Sequence, residues 1–367
     1  MNSFFHAKQL KKGICLLLTI GTAFAANAQQ GLSTRESSLK GQAGSVSRAP
    51  SGQQLPEQDA ERLHSRMHLG LLYPLSTNGR QAPMYSNDFS FHLLMGLSKA
   101  ENAFVLSGVS TVIREQAAGL QFAGVSNYVG KQTKGMQFAG VYNHTGDQLQ
   151  GIQFGGVMNY AGDADGLQFA GVMNKARDVN GSQFAGVVNV AKKVKGLQFA
   201  GIINIADSSD YPVAILNFIK NGEKSIGIST DETFNLLASF RSGGRVLYGI
   251  LEIGYNLKSE GDLYALGAGL GAHFAFSDRF RLNTELKSLV LDDFHEGEYS
   301  KYSLHILPAL KVSERIEVFA GPSLNFVDSD MQEGKDLFKD PLWENGYGDG
   351  HLRQWYVGAS AGIQFIL

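Results

Sequence analysis

GLQFAGVSN (119–127), GMQFAGVYN (135–143), GIQFGGVMN (151–159), GLQFAGVMN (166–174), GSQFAGVVN (181–189) and GLQFAGIIN (196–204) are six copies of one phrase, and their first glycines step by 16, 16, 15, 15 and 15 residues. Every copy holds Gln, Phe, Gly and Asn at the same offsets. So regular a period marks a unit stacked on its own copies, since one copy alone cannot bury its apolar face. Two β architectures accommodate it. In an antiparallel meander each copy is one wall strand, with Leu120, Phe122, Gly124, Ser126 and Tyr128 facing lipid and Gln121, Ala123, Val125 and Asn127 facing a lumen. In a solenoid each copy is one coil, with Phe, Leu and Val stacked inside. The meander is favoured, because strand-like sequence flanks the repeats on both sides. Tyr211–Asn217 reads as a worn seventh copy running into the later strands. The Gln and Asn columns read as ladders between neighbouring units, not as ligand sites.

After the repeats the sequence alternates with period two. In the last stretch Trp355, Val357, Ala359, Ala361, Ile363, Phe365 and Leu367 oppose Tyr356, Gly358, Ser360, Gly362 and Gln364. Similar splits recur over 264–276, 280–290 and 316–326. A strand with one apolar and one small or polar face separates two different solvents. Loop lengths also alternate. Ser277-Asp278 and Ser313-Glu314 are tight, whereas Leu291–Ser300 and Asp328–Arg353 are long and polar. Short turns at one end and long loops at the other are the habit of transmembrane barrels. The expectation is an all-β chain forming an antiparallel transmembrane β-barrel. It has about 18 strands if the repeats are wall strands. The alternative is a smaller barrel plus a β-solenoid of six repeats.

The domain reading follows. Residues 1–28 form a signal peptide: Lys8, Lys11 and Lys12, an apolar run from Ile14 to Ala25, then Ala26-Asn27-Ala28. Its removal moves the formal charge from −2 to −5. Residues 29–63 form a disordered arm rich in Ser, Gln, Gly and Arg. Residues 64–118 supply the first barrel strands, 119–206 the repeats, and 207–367 the C-terminal barrel strands. The one cysteine, Cys15, lies in the signal, so the mature chain has no disulfide and no Cys-ligated metal. Charged residues make up 18% of the chain and no basic face emerges, which argues against nucleic acid as a partner.

The repeats look like those of the leptospiral-type surface-repeat family, also found in Bacteroidetes-like secreted proteins, over about Gly119 to Ala206. The resemblance implies an outer-membrane or cell-surface place and no established activity. The last strand resembles the assembly signal of outer-membrane barrels, although it ends in Leu367 with Phe365 two residues earlier. The implied surroundings are the outer membrane of a Gram-negative bacterium, its lipid and lipopolysaccharide, and the barrel assembly machinery. The extracellular partner is left open.

No catalytic, cofactor or metal site is expected. His295-Glu296 lacks the second histidine of a zinc helix, and Asp328-x-Asp330 with Gly334 misses the EF-hand spacing. Gly267-x-Gly269-x-Gly271 lies within a strand, without the helix of a dinucleotide site. Two sets of residues are singled out. Arg281, Glu285, Lys287 and Glu317 are candidate lumen charges. Phe338, Trp343 and Tyr347 form a candidate partner-binding loop, or else fold into the barrel mouth. The chain is expected to be non-enzymatic: a passive pore or structural scaffold, or alternatively a surface-exposed adhesin using the repeats and the 328–353 loop.

Overall fold

The computed structural model describes residues 63–259, 263–294, 299–331, 337–338, 340–346 and 351–367. The signal peptide and the arm up to residue 62 lie outside the described residues, as do His295, Glu296, Gly334 and Tyr347.

Eight antiparallel strands close into a barrel: Lys224–Asp231, Asn235–Gly243, Leu247–Asn256, Tyr264–Ala275, Phe280–Asp292, Tyr299–Lys311, Ile316–Ser329 and Leu352–Ile366. The first pairs with the last, Ser225 opposite Ile366 and Asp231 opposite Ser360, so no wall edge is left open. The alternation read in the sequence holds. Ile253, Leu266, Leu286, Leu304, Val357 and Ile363 are exposed on the outside, while Glu252, Glu285, Ser303, Glu317 and Gln364 are buried inside. Outward aromatic residues gather at both rims. Tyr264, Tyr302, Trp343 and Trp355 lie at the long-loop rim, and Phe274, Phe276, Phe280 and Phe365 at the short-turn rim. The ten steps from Trp355 to Phe365 span about 33 Å of strand, or about 25 Å of height at a tilt near 40°, which matches the apolar band of a membrane barrel.

The 18-strand wall and the meander are both corrected. Copies pair in parallel and in register, Gly119 on Gly135, Gly135 on Gly151, Gly151 on Gly166 and Gly166 on Gly181. They are coils of a solenoid. Residues 64–118 do not supply barrel strands either. His64–Leu72 runs parallel to Ser86–Ser107, which runs parallel to Ser110–Ala123, and together they begin the same stack. Tyr211–Asn217 belongs to a final coil, with Leu197 over Tyr211 and Asn204 over Asn217, and is not a wall strand. The change from 16 to 15 residues per coil is absorbed by a register shift between Thr145 and Gln148.

Each coil turns at three places. One is the repeat's first glycine, one the Gly-Val pair, and one a charged turn such as Gly146-Asp147. The first glycines take φ between +75° and +140°. A methyl group built on Gly135, Gly151, Gly166 or Gly181 would fall within 2.1 Å of the carbonyl oxygen of the preceding coil's glycine, so only glycine fits this corner.

The interior is the reverse of what the solenoid alternative supposes. Gln121, Gln137, Gln153, Gln168, Gln183 and Gln198, with Asn127, Asn143, Asn159, Asn174, Asn189 and Asn204, are fully buried. Smaller apolar side chains such as Val179, Ala191 and Val194 fill the rest of the interior. Phe, Leu and Val of the repeat point outward. A coil of 15 residues encloses too little space for a phenylalanine from every copy, whereas stacked amides satisfy one another at the coil spacing.

Candidate functional site

All four predicted lumen charges lie inside the barrel, and each meets an opposite charge. Arg241 Nε donates to Glu285 Oε1 at 2.8 Å and Arg241 Nη2 to Glu285 Oε2 at 3.2 Å. The Tyr248 hydroxyl donates to Glu285 at 2.9 Å, and Lys287 donates to Glu252 at 3.2 Å. Arg281 Nη2 donates to Glu223 at 2.7 Å, and its Nε lies 2.8 Å from Glu317 Oε2 as an ion contact without hydrogen-bond alignment. Gln364 donates to Glu317 at 2.7 Å. Nearer the long loops Lys301 donates to Asp231 at 2.6 Å and to Glu232 at 3.3 Å. Sequence spacing found Arg281, Glu285, Lys287 and Glu317 because they alternate with outward leucines. It missed Arg241, Glu252 and Lys301, whose partners come from strands far away in sequence. An eight-stranded barrel is narrow enough for such side chains to fill it.

The long-loop end is closed by apolar packing. Leu237, Leu263, Leu289, Leu291, Tyr299, Val327, Met331, Leu337 and Tyr356 form one buried cluster, with Phe338 against it. The Phe338 ring stacks on Tyr356 with centroids 3.9 Å apart. Of the loop aromatics, then, Phe338 folds into the mouth. Trp343 stays half exposed on a short strand, Trp343–Gly346, opposite Trp355 at the outer rim. The structure does not bring Phe338 and Trp343 together as a binding pair.

Along the solenoid two amide ladders run in opposite senses. Each Gln side-chain amide donates to the copy before it: Gln137 to Gln121 at 2.9 Å, Gln153 to Gln137 at 2.7 Å, Gln168 to Gln153 at 2.8 Å. Each Asn donates to the copy after it: Asn127 to Asn143 at 3.0 Å, Asn143 to Asn159 at 2.9 Å, Asn159 to Asn174 at 2.9 Å. The same Asn amides also donate to backbone, Asn143 to the Phe154 carbonyl at 2.7 Å and Asn174 to that of Phe184 at 2.7 Å. The last rung, Asn217, donates to the Ser242 carbonyl of the second barrel strand at 3.2 Å. Outside, Phe122, Phe138, Phe154, Phe169 and Phe184 stack with centroids 4.8–5.0 Å apart. Together with Ala and Gly of the adjoining corner they line an open apolar trough of about 770 Å³.

The first coils carry a buried polar cluster that sequence reading passed over, because its members are scattered through weakly alternating strands. Glu101 accepts from Asn87 at 3.0 Å and from Ser90 at 2.7 Å, while the His92 and His68 rings meet edge to face at 4.6 Å. Burial pushes the Glu101 carboxyl up to about 7, against the donors that hold it down. Burial, then the neighbouring His68, pushes His92 down to about 4. A carboxyl whose folded pKa is raised stabilises the fold fully below its unfolded value and loses that contribution as pH climbs through about 7. His92, with a lowered pKa, acts in the opposite sense: its contribution is present above 6.5 and fades as pH falls towards 4. The Glu101→Gln chain keeps His92, so its difference from wild type isolates the carboxyl. Denaturation at pH 8 is expected to show the variant more stable by about 3 kcal/mol, with the gap closing below about pH 4.5.

No protein-family model matches the sequence, and no curated protein does. Among solved structures, a chain described as "De novo design of transmembrane beta-barrels" is similar at 12% identity, with 40% of this chain and 96% of that chain covered and a TM-score of 0.25.

Proposed function

We propose that this protein is a non-enzymatic outer-membrane β-barrel whose barrel serves as an anchor and whose solenoid is the part held in place. The observation that carries the reading is the closed eight-stranded wall with a predominantly apolar outside and an ion-paired inside. A water-soluble barrel gains nothing from rings of outward aromatic and aliphatic residues, whereas a bilayer stabilises them. The leptospiral-type likeness of the repeats and the leader-like residues 1–28 agree with a cell-envelope location. The packed interior supports the scaffold version over the passive pore. The adhesin version needs the repeats and the 328–353 loop on one surface. They attach to opposite ends of the barrel, the repeats beside Ser242 and Gly243 and the loop at the far rim.

Two measurements test the reading. The purified chain should migrate differently on a detergent gel before and after boiling, as a closed barrel does. In planar bilayers it should give no steady single-channel conductance, because Arg241, Glu285, Lys287 and the Phe338 cluster occupy the path. Discrete open channels would return the pore to first place, and a chain soluble without detergent would remove the membrane reading.

A further inference from the structure

The solenoid has two kinds of side. The Gly-Val corner carries Val125, Val141, Val157, Val172 and Ile202, each 41–42% exposed, and the phenylalanine stack borders it. The remaining side carries the charged turns, with Lys131 paired to Glu115 at 3.5 Å, Arg177 to Asp163, and Lys220 to Asp207 at 2.7 Å. The solenoid is therefore amphipathic along its whole length.

Its attachment fixes where that apolar corner lies. Ser242 and Gly249 face each other across the second and third barrel strands, and both point to the outside of the wall. Ser242 is nevertheless buried. The Asn217 backbone N–H, which would meet a further coil, donates instead to Ser242 Oγ at 3.0 Å. The coils consequently stack outward from the wall, and the six steps from Asn217 back to Asn127 place the first repeat about 29 Å away, with the coils of residues 64–118 beyond it. A methyl group on Gly249 would fall 2.0 Å from the Ala214 carbonyl oxygen and 2.1 Å from that of Ile215, the last coil's counterpart of the Gly-Val corner. Pro212 and Ser209, further round the coil, instead lie by Gly244 in the turn that ends the barrel. The apolar corner is thus on the side of the barrel's middle, and the charged side is towards its short-turn end. Gly249 also pairs with Leu270, while Phe274 and Phe276 lie nearer that end and are exposed. Attachment occurs within the height of the apolar band.

Resting on the membrane reading above, we infer that the solenoid lies in the plane of the bilayer at the short-turn leaflet, with its valine corner and phenylalanine trough occupied by lipid acyl chains. The occupant follows from continuity: the trough extends a wall that already faces hydrocarbon, and the charged side is turned to water, as in a helix lying at an interface. The test uses the full mature chain in phosphatidylcholine vesicles brominated at acyl positions 6 and 7. The Trp343→Phe chain keeps Trp355 as a wall reference. Two further chains, both with Trp343→Phe and Trp355→Phe, add either Val157→Trp at the apolar corner or Asp147→Trp at a charged turn. Trp355 is expected to be quenched. The Val157→Trp signal is expected to lose at least half as large a fraction, and the Asp147→Trp signal at most a small one. A quenched Trp355 with Val157→Trp no more quenched than Asp147→Trp overturns the inference and leaves the barrel reading standing. So does protection of Val157→Trp that disappears on dilution in lipid, which assigns the corner to a second copy. An unquenched Trp355 overturns both. Val172→Trp, one coil further on, repeats the measurement should Val157→Trp fail to fold.

Discussion

Replacing Glu285 by alanine is expected to destabilise the barrel by about 3–5 kcal/mol, because it strands the Arg241 guanidinium in a buried position without a counter-charge. Arg241 and Glu285 side chains are 4% and 1% exposed, and Glu285 also holds Tyr248 and lies 3.8 Å from Lys287. Arg241 then keeps its hydrogen bond to Ser239 and a place over the Phe319 ring, 5.1 Å from its centroid, while Glu252 is already engaged by Lys287. The reading is the denaturant midpoint of the lipid-reconstituted chain, followed by loss of the gel shift. Arg353→Ala serves as the contrast. Its pair with Asp328 is 48% and 36% exposed, and its removal is expected to cost under about 1 kcal/mol. Equal effects would mean that water reaches the lumen and screens its charges.

The second large effect is expected at Gly166. Its φ is +140°, and an added methyl would fall 2.0 Å from the Gly151 carbonyl oxygen. Gly166→Ala should destabilise the solenoid by about 3 kcal/mol or more, combining an unfavourable backbone conformation with a steric overlap that the parallel ladder cannot relieve. Protease sensitivity within the repeats should rise while the barrel's gel shift persists. Ser182→Leu, which installs at an outward position the residue that Leu120, Leu167 and Leu197 supply in other copies, is expected to stay within about 0.5 kcal/mol. An unperturbed Gly166→Ala solenoid would contradict the coil geometry itself.

The barrel was legible because each of its strands meets two solvents. Trp355 to Leu367 shows this in isolation, and the tight turns at Ser277 and Ser313 give the topology its parity. The alternating stretches read over 264–276, 280–290, 316–326 and 355–367 are all wall strands, observed as Tyr264–Ala275, Phe280–Asp292, Ile316–Ser329 and Leu352–Ile366. The meander reading of the repeats fails because strands on either side say nothing about how the copies pair, and the solenoid alternative put Phe, Leu and Val where Gln and Asn in fact lie. The better signal was in plain view: identical Gln, Asn and Gly at identical offsets. In an antiparallel meander successive copies run in opposite directions, so the same residue in neighbouring copies does not meet and nothing selects for identity. Parallel coils bring Gln137 onto Gln121 and Gly135 onto Gly119, where identity is what closes the ladder. The lumen pairs were only half legible. Alternation tells which side chains turn inward, but which charge meets which depends on closure, as with Arg241 and Glu285, 44 residues apart.

Because every rung is the same amide handed to the same amide, the solenoid can change length without changing its ends. Excising Gly166–Asn180 would bring Gln183 beneath Gln153 and Asn189 beneath Asn159, restoring both chains of amides one storey shorter. Duplication of the same block would do the reverse. Unequal recombination among these near-identical segments therefore offers a lineage a ready means of setting its reach in steps of about 4.8 Å, with Asn217 always the final rung on the wall.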